Sequence, residues 1–313
     1  MARETNLKIS KSLKVLITTS TFSTNIENNY FEKYNFQILK NPYNKRLTDV
    51  QITNLLDDSV IGIIAGLETL NEEVLSNAPN LRVISRCGIG LENIDLNYTK
   101  KNNIRVFNTP DAPSKAVAEL ALAHILSSIR RLLISNYEIK KNVWKPLMGT
   151  LLYKKKVGIL GFGRIGKNLA NLLTPFQCEI MFFDPYVESQ NDLFRKEELD
   201  ELLKKSDIIS IHLPLNSETK NLINKSNLLL LKNNATIINT ARGGVINEND
   251  LFDFLNQNSL AYAALDCFEE EPYNGKLLNL QNIQLSAHMG SYAIESREMM
   301  EKEAIQNLIK GLI

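Results

Sequence analysis

Three residues whose side chains could bind an anion or move a proton each follow an apolar, strand-like run. Arg242 lies in Asn239-Thr240-Ala241-Arg242-Gly243-Gly244, Asp266 ends the next run and precedes Glu269-Glu270-Glu271-Pro272, and His288 follows the last, in Leu285-Ser286-Ala287-His288-Met289-Gly290. In an open α/β sheet ligands bind outside the carboxyl ends of the strands, so an arginine, an acid and a histidine would meet on one edge. A guanidinium is a planar fork that can hold a carboxylate at two points and polarise the carbonyl beside it. An alkoxide formed there needs a proton, and histidine exchanges one near neutral pH. A carboxylate against the ring would fix its tautomer, and Glu271 is the candidate because Pro272 stiffens the turn. The two glycines after Arg242 predict close backbone approach. The set fits hydride transfer to a 2-keto acid, with the hydride coming from a cofactor.

The other histidines and the nearby thiol read differently. His124 falls on an apolar helical face and is expected in the core. His212, in Ile211-His212-Leu213-Pro214, is expected to line a dinucleotide cleft, and Cys267 to be small packing.

Residues 157–166, Val-Gly-Ile-Leu-Gly-Phe-Gly-Arg-Ile-Gly, supply the cofactor site. A strand (Val157 to Leu160) enters Gly161-x-Gly163-x-x-Gly166 and a helix (Ile165 to Phe176) leaves it. Gly161 allows the turn, Gly163 lets the backbone approach a pyrophosphate, and Gly166 lets helix and strand pack. The helix N-terminus offers N–H groups and the positive end of its dipole. Asp184 closes the next strand, Glu179 to Phe183, 18 residues after Gly166, near the roughly 20 expected of a ribose-binding carboxylate. A second cluster, Cys87-Gly88-Ile89-Gly90-Leu91-Glu92-Asn93-Ile94-Asp95, reads as an anion nest whose guest is the substrate carboxylate.

The elements that position these residues alternate along the chain. Strands are expected at Leu13 to Thr19, Phe36 to Leu39, Val60 to Ala65, Leu81 to Ser85 and Ile104 to Phe107, with helical patterns such as Asp49 to Asp57 and Asn71 to Ala78 between them. A long helix, Ser114 to Leu132, comes next, and the pattern restarts at Lys156. Further strands are expected at Asp207 to Leu213, Ala235 to Asn239, Ala261 to Leu265 and Ile283 to Ser286, then a final helix over Tyr292 to Ile313. Such alternation argues for α/β domains with doubly wound parallel sheets around a cleft.

Bulk properties exclude several classes. The 313 residues are 44% hydrophobic and 23% charged, enough for two domains with real cores. Lys plus Arg number 36 against 35 Asp plus Glu, net +1, which leaves no footprint for nucleic acid or an anionic membrane. The run Lys154-Lys155-Lys156 is expected to be a solvated loop. Cys87, Cys178 and Cys267 are far apart, which suits a reducing, cytoplasmic setting and forms no metal pattern. Met1 to Ser12 is polar, so no signal peptide is expected, and Ala116 to Ile129 is too short to span a bilayer.

Taken together, these segments resemble the D-2-hydroxyacid dehydrogenase family, most closely its D-3-phosphoglycerate dehydrogenase-like branch. The resemblance rests on Lys14 to Ser20, Arg86 to Asp95, Val117-Ala118-Glu119-Leu120, the glycine fingerprint, Asp207 to Leu215, Asn239 to Val245, Ala263 to Pro272 and Ser286 to Gly290. It implies Arg242, Glu271 and His288 as the catalytic set, acting on a small 2-keto or 2-hydroxy acid also held by Gly88, Ile89 and Gly90. It implies NAD as cofactor, held by Gly161, Phe162, Gly163, Arg164, Ile165 and Gly166, and beyond the fingerprint by Asp184 and Pro185. His212, Leu213, Pro214 and Thr219 would line it from the next loop, with Thr240, Ala241, Asp266 and Gly290 nearer the chemistry. It further implies a flavodoxin-like substrate domain formed by residues 1–106 and 289–313, a Rossmann-type NAD domain over 107–288, and a homodimer built on the latter. Asp184 would repel the 2′-phosphate of NADP.

One departure bears on the substrate. Phosphoglycerate dehydrogenases of the better-known kind carry basic residues in the loop after the third strand. Here it reads Gly66-Leu67-Glu68-Thr69, so a phosphate is expected to meet Glu68, a like-charge approach. Glyoxylate, hydroxypyruvate or another 2-keto acid is the alternative substrate. A different class of reading is a dinucleotide-sensing regulator like the C-terminal-binding corepressors, which keep such residues. With one helix after His288, feedback through a C-terminal regulatory domain is not expected.

Overall fold

The computed structural model describes residues 13–20, 22, 31, 34, 36–188 and 193–313, so the Met1 to Ser12 segment lies outside them. The chain forms two compact units, Met1–Pro113 with Ile294–Ile313, and Ser114–Ala293.

The first unit holds strands β1 (Lys14–Ile17), β2 (Gln37–Lys40), β3 (Val60–Ala65), β4 (Val83–Arg86) and β5 (Arg105–Phe107), with helices α1 (Asp49–Thr53), α2 (Glu72–Leu75) and α3 (Leu96–Lys101). The strands form one sheet in the order β2-β1-β3-β4-β5, every pair parallel. A parallel sheet needs crossovers that cover both faces, so its inner strands are apolar throughout. All six residues of β3 are buried. Leu16 and Ile63 pack with Ile52, Val74 and Leu75 of the short helices. Val15, Ile17 and Ile64 turn the other way, onto Met300, Ala304, Ile305 and Leu308 of the C-terminal helix. Thr48, Asn71 and Asp95 cap α1, α2 and α3 with their side chains.

Contrary to the expectation from the sequence, Glu68 is not placed to meet a phosphate. It is 1% exposed; its carboxylate accepts the Gly66 N–H at 2.9 Å and the Thr18 hydroxyl, and its carbonyl accepts the Asn93 side-chain amide at 2.6 Å. The charge ties the ends of β1 and β3 together and is not presented to a ligand. Backbone and hydroxyl donors offset the desolvation of a carboxylate there, which an open loop would not require.

The second unit begins with α4 (Ser114–Ile129) and α5 (Leu132–Lys140) and continues through β6 (Lys156–Leu160), α6 (Arg164–Leu173), β7 (Glu179–Phe183), β8 (Phe194–Lys196), α7 (Leu199–Lys205), β9 (Ile208–Ile211), α8 (Lys225–Leu228), β10 (Thr236–Asn239), α9 (Glu248–Gln257), β11 (Tyr262–Leu265) and β12 (Ile283–Leu285). The chain then returns to the first unit as α10 (Ile294–Leu312). Its sheet runs β12-β11-β10-β9-β6-β7-β8, again with every pair parallel. Ala118, Ala121 and Ile125 of α4 and Leu169, Ala170 and Leu173 of α6 cover Val157, Ile159, Phe182, Ile238 and Ala264 on one face. Leu202, Leu251, Phe254 and Leu255 of α7 and α9 cover Leu160, Met181, Ile209, Ile211 and Ile237 on the other.

Two expected helices are interrupted. The one expected over Ser114 to Leu132 stops at Ile129, because Arg131 takes a left-handed φ of 57° and a new helix starts at Leu132. The one expected over Ile165 to Phe176 ends at Leu173, where Pro175 enters a 3-10 turn, Thr174–Phe176. Gly166 sits where α6 crosses the loop: a Cβ there would lie 2.2 Å from the Gly161 carbonyl oxygen. Gly166→Ala should therefore lower unfolding stability by about 1–3 kcal/mol. Urea denaturation of the variant reads this, and an unchanged midpoint would show that the loop can move aside.

Candidate active site

Parallel pairing places every carboxyl end of the second sheet on one edge, so the loops that leave the strands share that edge. Gly161 follows β6, Asp184 β7, His212 β9, Asp266 β11 and His288 β12, while Arg242 stands in the turn after β10. The chain departs from β6 toward β8 on one side and from β9 toward β12 on the other, so the glycine loop stands at the topological switch point. Asp184 and Arg242 are three strand spacings apart, about 14 Å, and the turns bearing Glu271 and His288 lie beyond Arg242.

His288 and Glu271 form the tightest titratable pair on this edge. Nδ1 of His288 is 2.9 Å from each carboxylate oxygen of Glu271, and Glu271 Oε1 also accepts the Phe268 N–H at 3.1 Å. Among Glu269, Glu270 and Glu271, it is Glu271 that meets the histidine. The contact requires the proton on Nδ1, which leaves Nε2 for other business, and the His288 side chain keeps 34% of its surface open. His288 has a left-handed φ of 50°, which costs a residue with a Cβ on the order of 1 kcal/mol. Asp266 holds that loop. It is 1% exposed, and its oxygens accept the Met289 N–H at 2.9 Å, the Gly290 N–H at 2.8 Å and the Ser286 hydroxyl at 2.6 Å. Asp266 and Gly290 thus meet inside the protein, and these bonds shape the His288 loop.

Arg242 is half-buried in a turn fixed by Asn239, whose side chain accepts the Ala241 N–H at 3.0 Å and donates to the Arg242 carbonyl at 2.9 Å. Nη1 of Arg242 donates to the Ala241 carbonyl at 2.7 Å. The close backbone approach expected at the glycines after it is made at Gly243 by the protein itself: a Cβ there would overlap the Phe268 carbonyl carbon. The arginine turn and the turn bearing Glu271 are thus packed backbone to backbone. Asn239 was not drawn from the sequence, although a strand-end asparagine that folds back on its own turn is a readable signal.

The glycine loop fits a dinucleotide. Gly161 takes a φ of 91°, and a Cβ placed on Gly163 would meet nothing within 4 Å, so the outer side of the loop is open. No side chain caps α6, whose N-cap is Gly163, which leaves its first turn to a phosphate. Asp184, 9% exposed, accepts the Phe162 N–H at 2.8 Å and the Tyr186 N–H at 2.9 Å. Each oxygen keeps a second lone pair for a ribose hydroxyl. The hydroxyl of Thr240, on the β10 end, is buried with no partner among the described residues.

Several expected contacts are with the protein itself. The Phe162 ring stacks on Phe182 at 4.1 Å between centroids, and Ile165 packs on the same core, so both offer only backbone to the loop. Leu213 and Ala241 are buried in the opposite core. The Thr219 hydroxyl donates to the Pro214 carbonyl at 2.6 Å and accepts the Asn216 N–H at 2.9 Å, shaping the loop after β9. Arg164 and Pro185 are exposed. Nε2 of His212 lies 2.9 Å from Ser210 Oγ, and burial pulls this ring's pKa down to about 3, so it is neutral. His124 is buried as expected, but in a polar network with Gln284 and Ser286 that sequence reading missed. Cys267 is buried packing, its thiol pushed well up by desolvation and then by Asp266.

In the first unit, Gly88 does not serve as an anion donor: its N–H goes to Thr109 Oγ1 at 2.8 Å and to the Arg86 carbonyl at 3.0 Å. The N–H groups of Ile89 and Gly90 have no acceptor among the described residues and are the part of the expected nest that remains.

Residues 122–290 match the family model described as D-isomer specific 2-hydroxyacid dehydrogenase, NAD binding domain. The chain belongs to the D-2-hydroxyacid dehydrogenase family. It is 34% identical over 284 residues to hydroxypyruvate reductase of Thermotoga maritima, covering 86% of this chain and 92% of that one. To glyoxylate reductase of Thermococcus litoralis it is 37% identical over 265 residues, 80% of each chain. To D-3-phosphoglycerate dehydrogenase of Methanocaldococcus jannaschii it is 32% identical over 275 residues, 85% of this chain and 52% of that one. D-lactate dehydrogenase of Aquifex aeolicus, solved with NAD and lactic acid, superposes with a TM-score of 0.81 at 27% identity, covering 95% of both chains. This dehydrogenase is therefore an NAD-dependent oxidoreductase of 2-hydroxy acids, and the named relatives are catalysts rather than sensors. No helix among its described residues is long and apolar enough to cross a membrane.

The neutral His212 predicts an acid weakness in the dehydrogenase. Its folded-state pKa of about 3 lies below the ordinary 6.5, so the unfolded chain binds the extra proton and stability falls as pH drops through that window. Between pH 7 and pH 5 this should remove up to about 2 kcal/mol. Urea titrations at both pH values should show a smaller loss for His212→Gln; an equal loss would assign the weakness to other groups.

Proposed function

We propose that the dehydrogenase reduces a small, unphosphorylated 2-keto acid to its D-2-hydroxy acid with NADH, and runs the reverse reaction on demand. The observation that carries this reading is the His288–Glu271 pair, its Nε2 left open on the edge that bears Arg242 and the glycine loop. When bound at the glycine loop, the cofactor supplies the hydride. Arg242 grips the substrate carboxylate with its planar fork and draws density from the adjacent keto oxygen. His288 gives a proton from Nε2 to that oxygen as it becomes an alkoxide, and Glu271 stabilises the ring by holding Nδ1–H. In oxidation the same atoms take the proton back.

The burial of Glu68 removes like-charge repulsion as the reason to doubt a phosphorylated substrate. What supports an unphosphorylated one is the loop Gly66–Thr69, which carries no basic side chain and ties its one charge inward. The names of the first two relatives, hydroxypyruvate and glyoxylate reductase, favour the same class. Under identical NADH and salt, hydroxypyruvate or glyoxylate should be turned over more efficiently than 3-phosphohydroxypyruvate. A large advantage for the phosphorylated acid would overturn this.

His288→Ala should lower kcat by about 10²- to 10⁴-fold with little change in NADH binding, since proton transfer is what is lost. Arg242→Lys should impair kcat and KM together, because an ammonium cannot make the two-point grip. Near-normal turnover of His288→Ala across the pH range would place the proton donor elsewhere. We also propose a preference for NAD(H) over NADP(H), because the buried Asp184 carboxylate would face the 2′-phosphate; equal efficiency with NADPH would refute it.

We further propose that the enzyme works as a cytoplasmic homodimer. Helix α5 buries none of its residues, and Leu132, Tyr137, Trp144, Met148 and Leu151 are 55%, 57%, 87%, 94% and 66% exposed, an apolar surface too large to leave in water. Its three free thiols suit a reducing compartment. Sedimentation should give twice the chain mass, and a Leu132→Glu/Trp144→Glu double variant half of that. A wild-type monomer would refute the dimer, and recovery in a secreted fraction would refute the compartment.

A further inference from the structure

We propose that His124 is a positioning residue for His288, acting through Ser286 and Asp266; the inference rests on His288 being the proton donor. His124 is 2% exposed on α4, which packs across β10, β11 and β12. Its Nε2 lies 3.2 Å from Ser286 Oγ, and its Nδ1 lies 2.7 Å from the Gln284 amide nitrogen. Ser286 gives its single hydroxyl proton to Asp266 Oδ1 at 2.6 Å, so toward His124 it can only accept. The imidazole must then carry its proton on Nε2, and Nδ1 accepts from Gln284, a tautomer assigned by the network. Burial shifts the ring's pKa downward, the direction that favours this neutral form.

This run of hydrogen bonds ends at the reactive residue. Asp266 holds the two amides that follow His288, and Ser286 stands two residues before it, so the left-handed backbone at 288 is pinned on both sides. An aliphatic residue would fill the space beneath α4 without any need of partners. A buried imidazole earns its place only if its hydrogen bonds are made, and once made they restrict the groups that it touches. The ring on α4 thus fixes the rotor of Ser286, Ser286 aligns one oxygen of Asp266, and Asp266 sets the loop that aims His288 Nε2.

Steady-state kinetics with hydroxypyruvate and NADH, beside NADH binding read by its fluorescence without keto acid, test this on the full chain. His124→Leu and Ser286→Ala should each lower kcat about 10- to 100-fold while the NADH dissociation constant stays within about twofold. His124→Gln, which keeps an N–H near the position of Nε2 and cannot titrate, should restore most of the rate. Wild-type kcat in His124→Leu, or equal impairment in the Leu and Gln variants, would overturn the proposal. Should His124→Leu fail to give a cooperative melt, Ser286→Ala, which removes one oxygen, decides instead, and its wild-type kcat would overturn it. His288→Ala is run alongside. Full turnover there sinks the assignment of the proton donor and this inference with it, whereas its loss beside a fully active His124→Leu sinks the positioning role alone.

Discussion

Parallel pairing is the constraint on which the rest of this enzyme depends. Parallel strands cannot be joined by tight hairpins, so each must be followed by a crossover that returns the chain to the starting edge. Every strand then ends on the same side, and the loops that begin the crossovers are gathered there without further instruction. In the seven-stranded sheet this brings together the glycine loop, Asp184, Arg242, Asp266 and His288, from segments more than a hundred residues apart in sequence. The reversal of strand order beside β6 opens the place where a dinucleotide can lie across that edge.

The same arrangement creates an electrostatic problem in both sheets, since the strand ends carry charges but lie against buried strands. Asp184, Asp266 and Glu68 are 9%, 1% and 1% exposed, and stripping water from a lone carboxylate at such depths would cost several kcal/mol. Each is matched with donors from neighbouring turns: Phe162 and Tyr186 for Asp184, Met289, Gly290 and Ser286 for Asp266, Gly66 and Thr18 for Glu68. Backbone N–H groups are rigid, so a carboxylate bonded to two of them fixes the geometry of the loop that owns them. In Asp266 this stiffness is turned to use, because the loop so fixed bears the left-handed His288.

Much of this was legible in the sequence. Strand β3, all buried, reads as the continuous apolar run Val60–Ala65, and the glycine fingerprint reads as turn, open approach and helix contact, which is what the surroundings of Gly161, Gly163 and Gly166 give. The residues on the carboxyl edge were readable because each follows an apolar run. What failed to show was the direction of side chains. A glutamate in a loop looks solvated until Thr18 and Gly66 are found around it, contacts set by residues far away in sequence. The pair Gly243 and Gly244 reads as a close backbone approach without saying of what; the partner of Gly243 is the Phe268 backbone, which only the pairing of β10 with β11 brings near. His124 looked like simple core because its apolar neighbours on α4 are local, whereas Gln284 and Ser286 lie some 160 residues on. The break at Arg131 was hidden because left-handed arginine has no signature of its own.

The backbone at His288 shows why such long-range polar contacts are kept in a core that aliphatic residues could fill. A histidine on an unrestrained loop would relax out of the left-handed region, gaining on the order of 1 kcal/mol, and would carry its ring away from Glu271. Proton transfer tolerates little of this, since an acid must stand within hydrogen-bond reach of the oxygen it serves. Two sets of contacts therefore act on one residue. Glu271 orients the ring through Nδ1, while Asp266 holds the main chain through the next two amides. Glu271 and Asp266 lie on the same turn after β11, with the Phe268 N–H bonded to Glu271 and the Asp266 N–H bonded to the Asn239 carbonyl. Asn239 in turn shapes the turn bearing Arg242. The turn of Arg242, the proposed substrate grip, and the loop of His288, the proposed proton donor, are thus set by one stretch of backbone, and a displacement of either would be felt by the other.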